Sequence, residues 1–353
     1  MCGIIGASYS KDFINKEVFK SALGMLSHRG PDSTGVWFND SQTDALGFKR
    51  LSIIDLTKNG DQPLKSVCGN YKIIFNGEIY NFKSLKKELI NSGSNFNNSS
   101  DTEVLIEGYK KWGIDLLLEK SRGMFAFALF DVKKNQIILA RDPCGMKPLF
   151  YYKDKNKFIF SSEIKSINNY NKKSEIDYFS AENTFVTTSL PPNNKTLFKN
   201  INKLNLGEIL TLNIHDLSIR RYKHTALKNY VVQSEYSYNS KLSVEKISQK
   251  FDEVLSDSIE EHLEADANVG ILYSAGLDSS LIAAIAKKKA NKKIHLFKYT
   301  SSQYNDSKLA KDFADSHNMK LHEVFCPEDE LIYDLPKLIY HYEPINKCEG
   351  AAL

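Results

Sequence analysis

Up to about Tyr222 the chain is a succession of short apolar runs separated by turn residues: GIIGAS, TGVWF, ALGFKR, YKIIFNG, GMFAFALFD, QIILARD, LFYY, KFIFSS and GEILTLNI. Runs of that length, rich in Ile, Phe and Tyr, predict a sheet-dominated domain. Two helical patterns interrupt them. Phe82 to Ile90 places Leu85, Leu89 and Ile90 on one face; Asp101 to Trp112 repeats Val104, Leu105 and Tyr109 at helical spacing, capped by Ser100 or Asp101. Runs of strands with few helices predict an α+β layered domain over 1–222. Between Lys223 and Ser243 periodicity is lost, so 223–243 reads as a linker. Over 244–353 the order becomes helix (Val244 to Leu263), strand (Val269 to Tyr273), helix (Asp278 to Lys289), strand (Ile294 to Tyr299), helix (Ser307 to His317), strand (Leu321 to Phe325) and helix (Asp329 to Tyr340). That alternation predicts an α/β domain, a parallel sheet with helices on both faces.

Composition excludes several classes. The 353 residues carry 47 basic and 43 acidic side chains, and a formal charge of +4 over that length leaves no stripe for nucleic acid. No apolar stretch approaches the roughly 18 residues of a membrane span, and the start MCGIIGASYSKDF has no secretory pattern, so a cytoplasmic protein is expected. Cys2, Cys68, Cys144, Cys326 and Cys348 contain no Cys-x-x-Cys pair, against both a disulfide framework and a zinc site.

Cys2 follows the initiator directly. Once Met1 is removed, one residue supplies a thiol and an α-amine, whose pKa near 8 lets it accept the thiol proton close to neutrality. Nucleophile and base then belong to a single residue. Attack on a side-chain amide also needs a cation for the substrate's α-carboxylate, a carboxylate for its α-ammonium and donors for the developing oxyanion. Arg50, Asp101 and the pair Asn76 and Gly77 are candidates for those roles. Each segment also has a plainer reading: NGE as a hairpin turn, SSDTE as a helix cap, RGPD as a turn, Cys2 as a small buried strand residue. In the second part, VGILYSAGLDSSLIAAIA (269–286) joins a strand to a helix through a glycine-containing turn. Ser274, Gly276, Ser279 and Ser280 would place hydroxyls and free N–H groups at the helix start, where an anion such as pyrophosphate is favoured. The spacing is neither that of a Walker loop nor that of a dinucleotide fingerprint.

MCGIIG, HRGPD, RLSIIDL followed by DQPL, NGEIYNF, SDTEV, GMFAFALFD, RDPCGMKPLFY and FSSEIKS stand in the order seen in glutamine-hydrolysing asparagine synthetases, which this chain resembles. The resemblance implies an N-terminal-nucleophile (Ntn) hydrolase domain, two antiparallel sheets between helical layers. It implies Cys2 as nucleophile, Asn76 and Gly77 in catalysis, Arg50, Leu51, Ser52, Ile53, Ile54, Asn76, Gly77 and Glu78 around glutamine, and Asp101 on its α-amino group. Ser-x-Gly-x-Asp-Ser after a strand resembles the PP-loop of ATP pyrophosphatases, the second domain of those synthetases. Carried over by position, Leu272 and Tyr299 would line the adenosine pocket, Ser274, Gly276, Ser279 and Ser280 would hold the phosphates, and Asp278 would bind Mg²⁺.

The function so implied is transfer of glutamine nitrogen to aspartate activated by MgATP, with glutamine, aspartate and ATP as partners and a homodimer among the assemblies open to it. The chain departs from the family in three ways. Ala275 stands where Gly is usual, so that a methyl is expected to crowd the phosphates or change the backbone angle. Tyr299 stands where a smaller aliphatic is common. The second loop, SGEGxDE, has no counterpart before Leu353, so an incomplete synthetase half unable to make asparagine alone is expected. The alternatives are a relative amidating another carboxylate (a sugar, cell-envelope or antibiotic precursor) and a non-catalytic, decayed synthetase.

Overall fold

All nine apolar runs of the first part are strands. The computed structural model describes every residue except 173, 188–193, 225–232, 301–306, 326 and 344–353. The first unit comprises Met1–Tyr230 with His341–Leu353, the second Val231–Tyr340. In the first, β1 (Gly3–Tyr9), β2 (Ser33–Phe38), β3 (Asp44–Arg50), β8 (Phe150–Lys153), β9 (Lys157–Ser161) and β10 (Ile201–Lys203) form one sheet in the order β10-β8-β9-β1-β3-β2. The other sheet takes β4 (Leu64–Lys65), β5 (Tyr71–Ile79), β6 (Gly123–Asp131), β7 (Gln136–Arg141), β11 (Glu208–Asn213) and β12 (Ile219–Lys223), in the order β12-β11-β7-β6-β5-β4. Every pairing in both sheets is antiparallel.

Burial explains why these strands read as apolar runs and not as alternations. Along β6, Ala126, Ala128 and Phe130 enter the core between the sheets, where Ile4, Phe48, Phe158 and Phe160 meet them. Phe125, Phe127 and Leu129 point the other way, into a second core with α2 (Phe82–Asn91) and α3 (Asp101–Lys120). The outer face of the first sheet is closed by α1 (Lys16–Gly24) and α4 (Ile164–Asn171) through Phe19, Leu23, Ile164 and Ile167. The unit is thus layered helix, sheet, sheet, helix, and a strand covered on both faces has no solvent-facing positions to make polar.

Several local expectations change. Ile90, placed on the buried face of α2, is exposed, while Phe82 is buried with Leu85 and Leu89. The pattern ending at Trp112 continues to Lys120 across Gly113, whose φ of 76° breaks helical geometry. Neither α1, α4 nor α5 (Tyr178–Thr187) was visible among the strands. α1 buries only Phe19, Ala22 and Leu23 in nine residues, too few for a clear period, and relies on Asn15, whose side chain accepts from the N–H groups of Glu17 and Val18.

In the second unit, α6 (Gln233–Asn239) lies inside the stretch read as a linker, of which 225–232 are outside the described residues. Then come α7 (Val244–His262), β13 (Gly270–Leu272), α8 (Leu277–Lys289), β14 (His295–Thr300), α9 (Ser307–Ser316), β15 (Lys320–Phe325) and α10 (Glu328–Tyr342). The three strands are parallel, in the order β13-β14-β15. Helices over both faces were expected. Here α7, α8 and α9 join one apolar cluster with Leu296, whereas Phe297 and Tyr299, which alternate with it on β14, remain exposed. Cys326, Cys348 and the end of the chain from 344 lie outside the described residues.

Candidate active site

Cys2 sits just ahead of β1, half-buried, with its Sγ 3.4 Å from the N–H and 3.5 Å from the carbonyl oxygen of Leu51. Burial pushes the thiol pKa up although the Leu51 hydrogen bond opposes it, which favours the protonated thiol and gives a proton acceptor a part in the attack. Around the sulfur lies a pocket whose empty space, open mouth included, is about 500 Å³. Its wall includes Arg50, Leu51, Ile53, Ile54, Asn76, Gly77, Glu78 and Asp101. Ser52 is not on that wall; its N–H is turned to Asp32 Oδ2 at 2.7 Å.

The alternative of a hairpin at NGE falls away, because β5 continues through Asn76, Gly77 and Glu78, paired with Ala126, Phe125 and Met124. Gly77 is required by that neighbour: a Cβ there would lie 2.2 Å from the Met124 carbonyl oxygen. Asn76 is buried, and its Nδ2 has no hydrogen-bond partner among the described residues. An unpaired buried donor costs roughly 1–3 kcal/mol, and such costs are concentrated where a ligand supplies the missing acceptor.

Asp101 opens α3 behind the Ser100 cap and accepts from Ile79 N–H at 3.0 Å. Its carboxyl is pushed up to about 7, by burial first and by the Glu78 charge as well, against the Ile79 hydrogen bond. Gln62 ties the two walls: its Oε1 accepts from Phe75 N–H at 2.6 Å and its Nε2 donates to Thr102 Oγ1 at 3.2 Å. Arg50 spends much of its guanidinium on the loop beyond it, donating to the carbonyl oxygens of Thr57 (2.6 Å), Ile54 (3.4 Å) and Asp55 and to Asp61 Oδ1 (3.0 Å). It therefore shapes the pocket as well as lining it.

Three residues at or beside Cys2 were not picked out from the sequence. Buried Lys147 lines the pocket, and desolvation lowers its pKa. Arg29 donates from Nε to the Cys2 carbonyl oxygen at 2.9 Å, and its Nη1 meets Glu163 Oε1 at 2.8 Å. All three lie in quoted segments (RDPCGMKPLFY, HRGPD and FSSEIKS), but only folding brings those segments together.

In the second unit the turn between β13 and α8 gathers the expected hydroxyls. Ser274 Oγ lies 3.0 Å from Ser279 Oγ and accepts from Gly276 N–H at 3.3 Å, and Tyr273 Oη is 3.0 Å from Ser280 Oγ. No side chain caps the first turn of α8, which leaves its N–H groups available to an anion. Asp278 stands in that turn. Leu272 and Tyr299 are exposed on adjacent strands, Leu272 pairing with Phe297.

Residues 1–223 match the glutamine amidotransferase domain family and 250–348 the asparagine synthase family. Asparagine synthetase [glutamine-hydrolyzing] 1 of Bacillus subtilis is 33% identical over 97% of this chain and 53% of its own length. A putative asparagine synthetase [glutamine-hydrolyzing] 2 of Methanocaldococcus jannaschii is 31% identical over 99% of this chain and 70% of its own length. The chain belongs to the glutamine-hydrolysing asparagine synthetase family. It spans about half the length of most curated relatives it matches. A glutamine phosphoribosylpyrophosphate amidotransferase structure from B. subtilis shares the fold, with a TM-score of 0.52, 15% identity and 99% and 95% of the two chains covered. Among the described residues no helix is long and apolar enough to cross a membrane.

Within this family's loop, Ala275 adopts a φ of 63°, the left-handed angle that a glycine takes without strain. Its methyl packs against the apolar cluster of the second unit, so the loop keeps its shape. Ala275→Gly removes about 1 kcal/mol of left-handed strain. It also adds about 0.4–1 kcal/mol of unfolded-state entropy and loses roughly 0.8 kcal/mol of methyl burial. The expected result is a net change of less than about 1 kcal/mol, checked by denaturant unfolding of both proteins.

Proposed function

We propose that the first unit hydrolyses glutamine at Cys2 and that the ammonia serves an ATP-dependent amidation of aspartate, of which the second unit carries the pyrophosphate loop. With Met1 removed, the Cys2 amine takes the thiol proton, and the sulfur adds to the side-chain amide carbon. The oxyanion is met by Asn76 Nδ2 and the Gly77 N–H. Collapse expels ammonia, protonated from the amine, and leaves a thioester; water then releases glutamate and restores the thiol. Arg50 faces the substrate's α-carboxylate and Asp101 its α-ammonium. The observation that carries this reading is the buried, unpartnered Asn76 Nδ2 on the wall of the pocket that holds Cys2.

For the second step, Ser274, Gly276, Ser279, Ser280 and the uncapped first turn of α8 hold the phosphates of ATP, and Leu272 and Tyr299 flank the adenosine. Among the described residues no three His, Cys, Asp or Glu side chains form a metal cluster. Mg²⁺ accompanies ATP as part of the substrate, and Asp278, in the first turn of α8, is the protein ligand offered to it. In the family's reaction aspartate becomes its β-adenylate with release of pyrophosphate, and ammonia displaces AMP to give asparagine; this chain supplies the loop that holds the phosphates and is not expected to make asparagine alone. A homodimer and a cytoplasmic location belong to the same reading.

The test is ATP-independent release of glutamate and ammonia, one to one, from glutamine by the whole chain; a chain that leaves glutamine intact overturns the proposal. An uncleaved N-terminal extension turns the Cys2 amine into an amide and is expected to suppress hydrolysis more than about 10²-fold with the thiol still present.

Asp101 gives the site a pH dependence. With the carboxyl near 7, the ionised form that pairs with an ammonium grows as pH rises. In the Cys2→Ala protein, glutamine affinity is expected to rise by about tenfold per unit below pH 7 and level off above it, and Asp101→Asn flattens the curve. Titration calorimetry between pH 5.5 and 8.5 checks both.

A further inference from the structure

Residue 2 lies outside the ladder of β1, whose pairing with β3 starts at Gly3 opposite Lys49. The sheet therefore does not fix its main chain, and chain ends fray unless tied down. The tie is Arg29. Its side chain is nearly buried; Nε holds the Cys2 carbonyl oxygen at 2.9 Å and Nη1 is held at 2.8 Å by Oε1 of Glu163. Glu163 is itself buried, at the N-cap position of α4. Its Oε1 also takes His28 Nε2 at 2.9 Å, while Oε2 faces the Lys165 ammonium. Lys165 is shared with Glu343, which lies 3.8 Å away and accepts from the N–H groups of Ile164 and Lys165 at 2.7 and 2.5 Å. Burial lowers the pKa of His28 even beside Glu163, so the cluster balances two cations, Arg29 and Lys165, against two carboxylates.

We propose that Glu163 is a positioning residue for the Cys2 nucleophile, acting through Arg29. This rests on the glutaminase reading above. Glu163 touches none of the residues assigned to glutamine; it fixes the guanidinium that fixes the carbonyl of residue 2. Displacing a reacting atom by about 1 Å costs up to about 10²-fold in rate, so the effect belongs in kcat and not in KM.

The test compares glutamine hydrolysis by the whole chain as wild type, Glu163→Gln, Arg29→Met and the double variant. Glu163→Gln is expected to lower kcat about 10- to 10²-fold with KM within about twofold. In the Arg29→Met background it is expected to add less than about twofold, because the route through Arg29 is already cut. Removing one partner of a buried ion pair can unfold a protein, so Arg29→Lys is measured alongside. Lysine satisfies Glu163 but cannot fork to the Cys2 carbonyl, and the same kcat loss with folding retained supports the proposal. Unchanged kcat in Glu163→Gln, effects that multiply in the double variant, or full activity in Arg29→Lys overturn it while leaving the glutaminase intact. A wild-type chain that does not hydrolyse glutamine overturns the underlying reading, and this inference with it.

Discussion

Cys2→Ala is expected to lower glutamine hydrolysis by more than about 10³-fold and to leave the fold standing. The thiol is the only group in the pocket proposed to form a bond to substrate. Arg50, Asn76 and Asp101 are all retained in the variant, so glutamine still binds and the loss falls on kcat. Stability changes little, because Cys2 is half-buried at the edge of the core between the sheets, alanine keeps its Cβ there, and the sulfur's hydrogen bonds to the Leu51 main chain are weak. Steady-state kinetics with a thermal melt of the same preparation check both halves. A Cys2→Ala protein that keeps its activity would remove the nucleophile assignment.

Asn76→Ala carries the second largest effect, a fall of about 10²–10³-fold in kcat with KM nearly unchanged. The argument starts from stability. Asn76 is buried in β5 with Nδ2 unpartnered, so the resting protein bears a desolvation cost of about 1–3 kcal/mol for a donor it does not use. Removing the amide relieves that cost and leaves a small cavity worth roughly the same with opposite sign, so the thermal midpoint is expected to stay within a few degrees. A side chain contributing nothing to folding and much to turnover is one whose acceptor exists only in the reaction. If Asn76→Ala instead unfolds the domain with no specific loss of kcat in what remains folded, the amide is structural.

Much of this was legible because the chemistry is local in sequence. Cys2, NGE and SDTE each lie in one short segment, and long apolar runs such as GMFAFALFD admit little but a strand covered on both sides. The Ser-rich turn before α8 was legible for the same reason, with strand, glycine and helix contiguous. What escaped was short or non-local. α1 and α4 bury a few side chains each and gain their stability from the outer face of the first sheet, a surface no window of sequence contains. Arg29 and Lys147 reach Cys2, and Glu163 reaches Arg29, only once β1 lies between β3 and β9. Ile90 misled because the face set by Leu85 and Leu89 is completed by Phe82, one turn earlier.

The thiols allow the central claim to be tested on the protein itself. Exposed Cys68 has its thiol pKa lowered by hydrogen bonding to Ser66 and to the main chain of Asn70, so bare reactivity would favour it over the Cys2 thiol. A diazoketone analogue of glutamine, which alkylates a thiol only after being held as a substrate, reverses that preference if the pocket around Cys2 is a glutamine site. Peptide-resolved mass spectrometry of the whole chain after treatment with this analogue should find one adduct, on Cys2, prevented by excess glutamine. An adduct on Cys68 or Cys144, or labelling of Cys2 that glutamine does not protect, would contradict it.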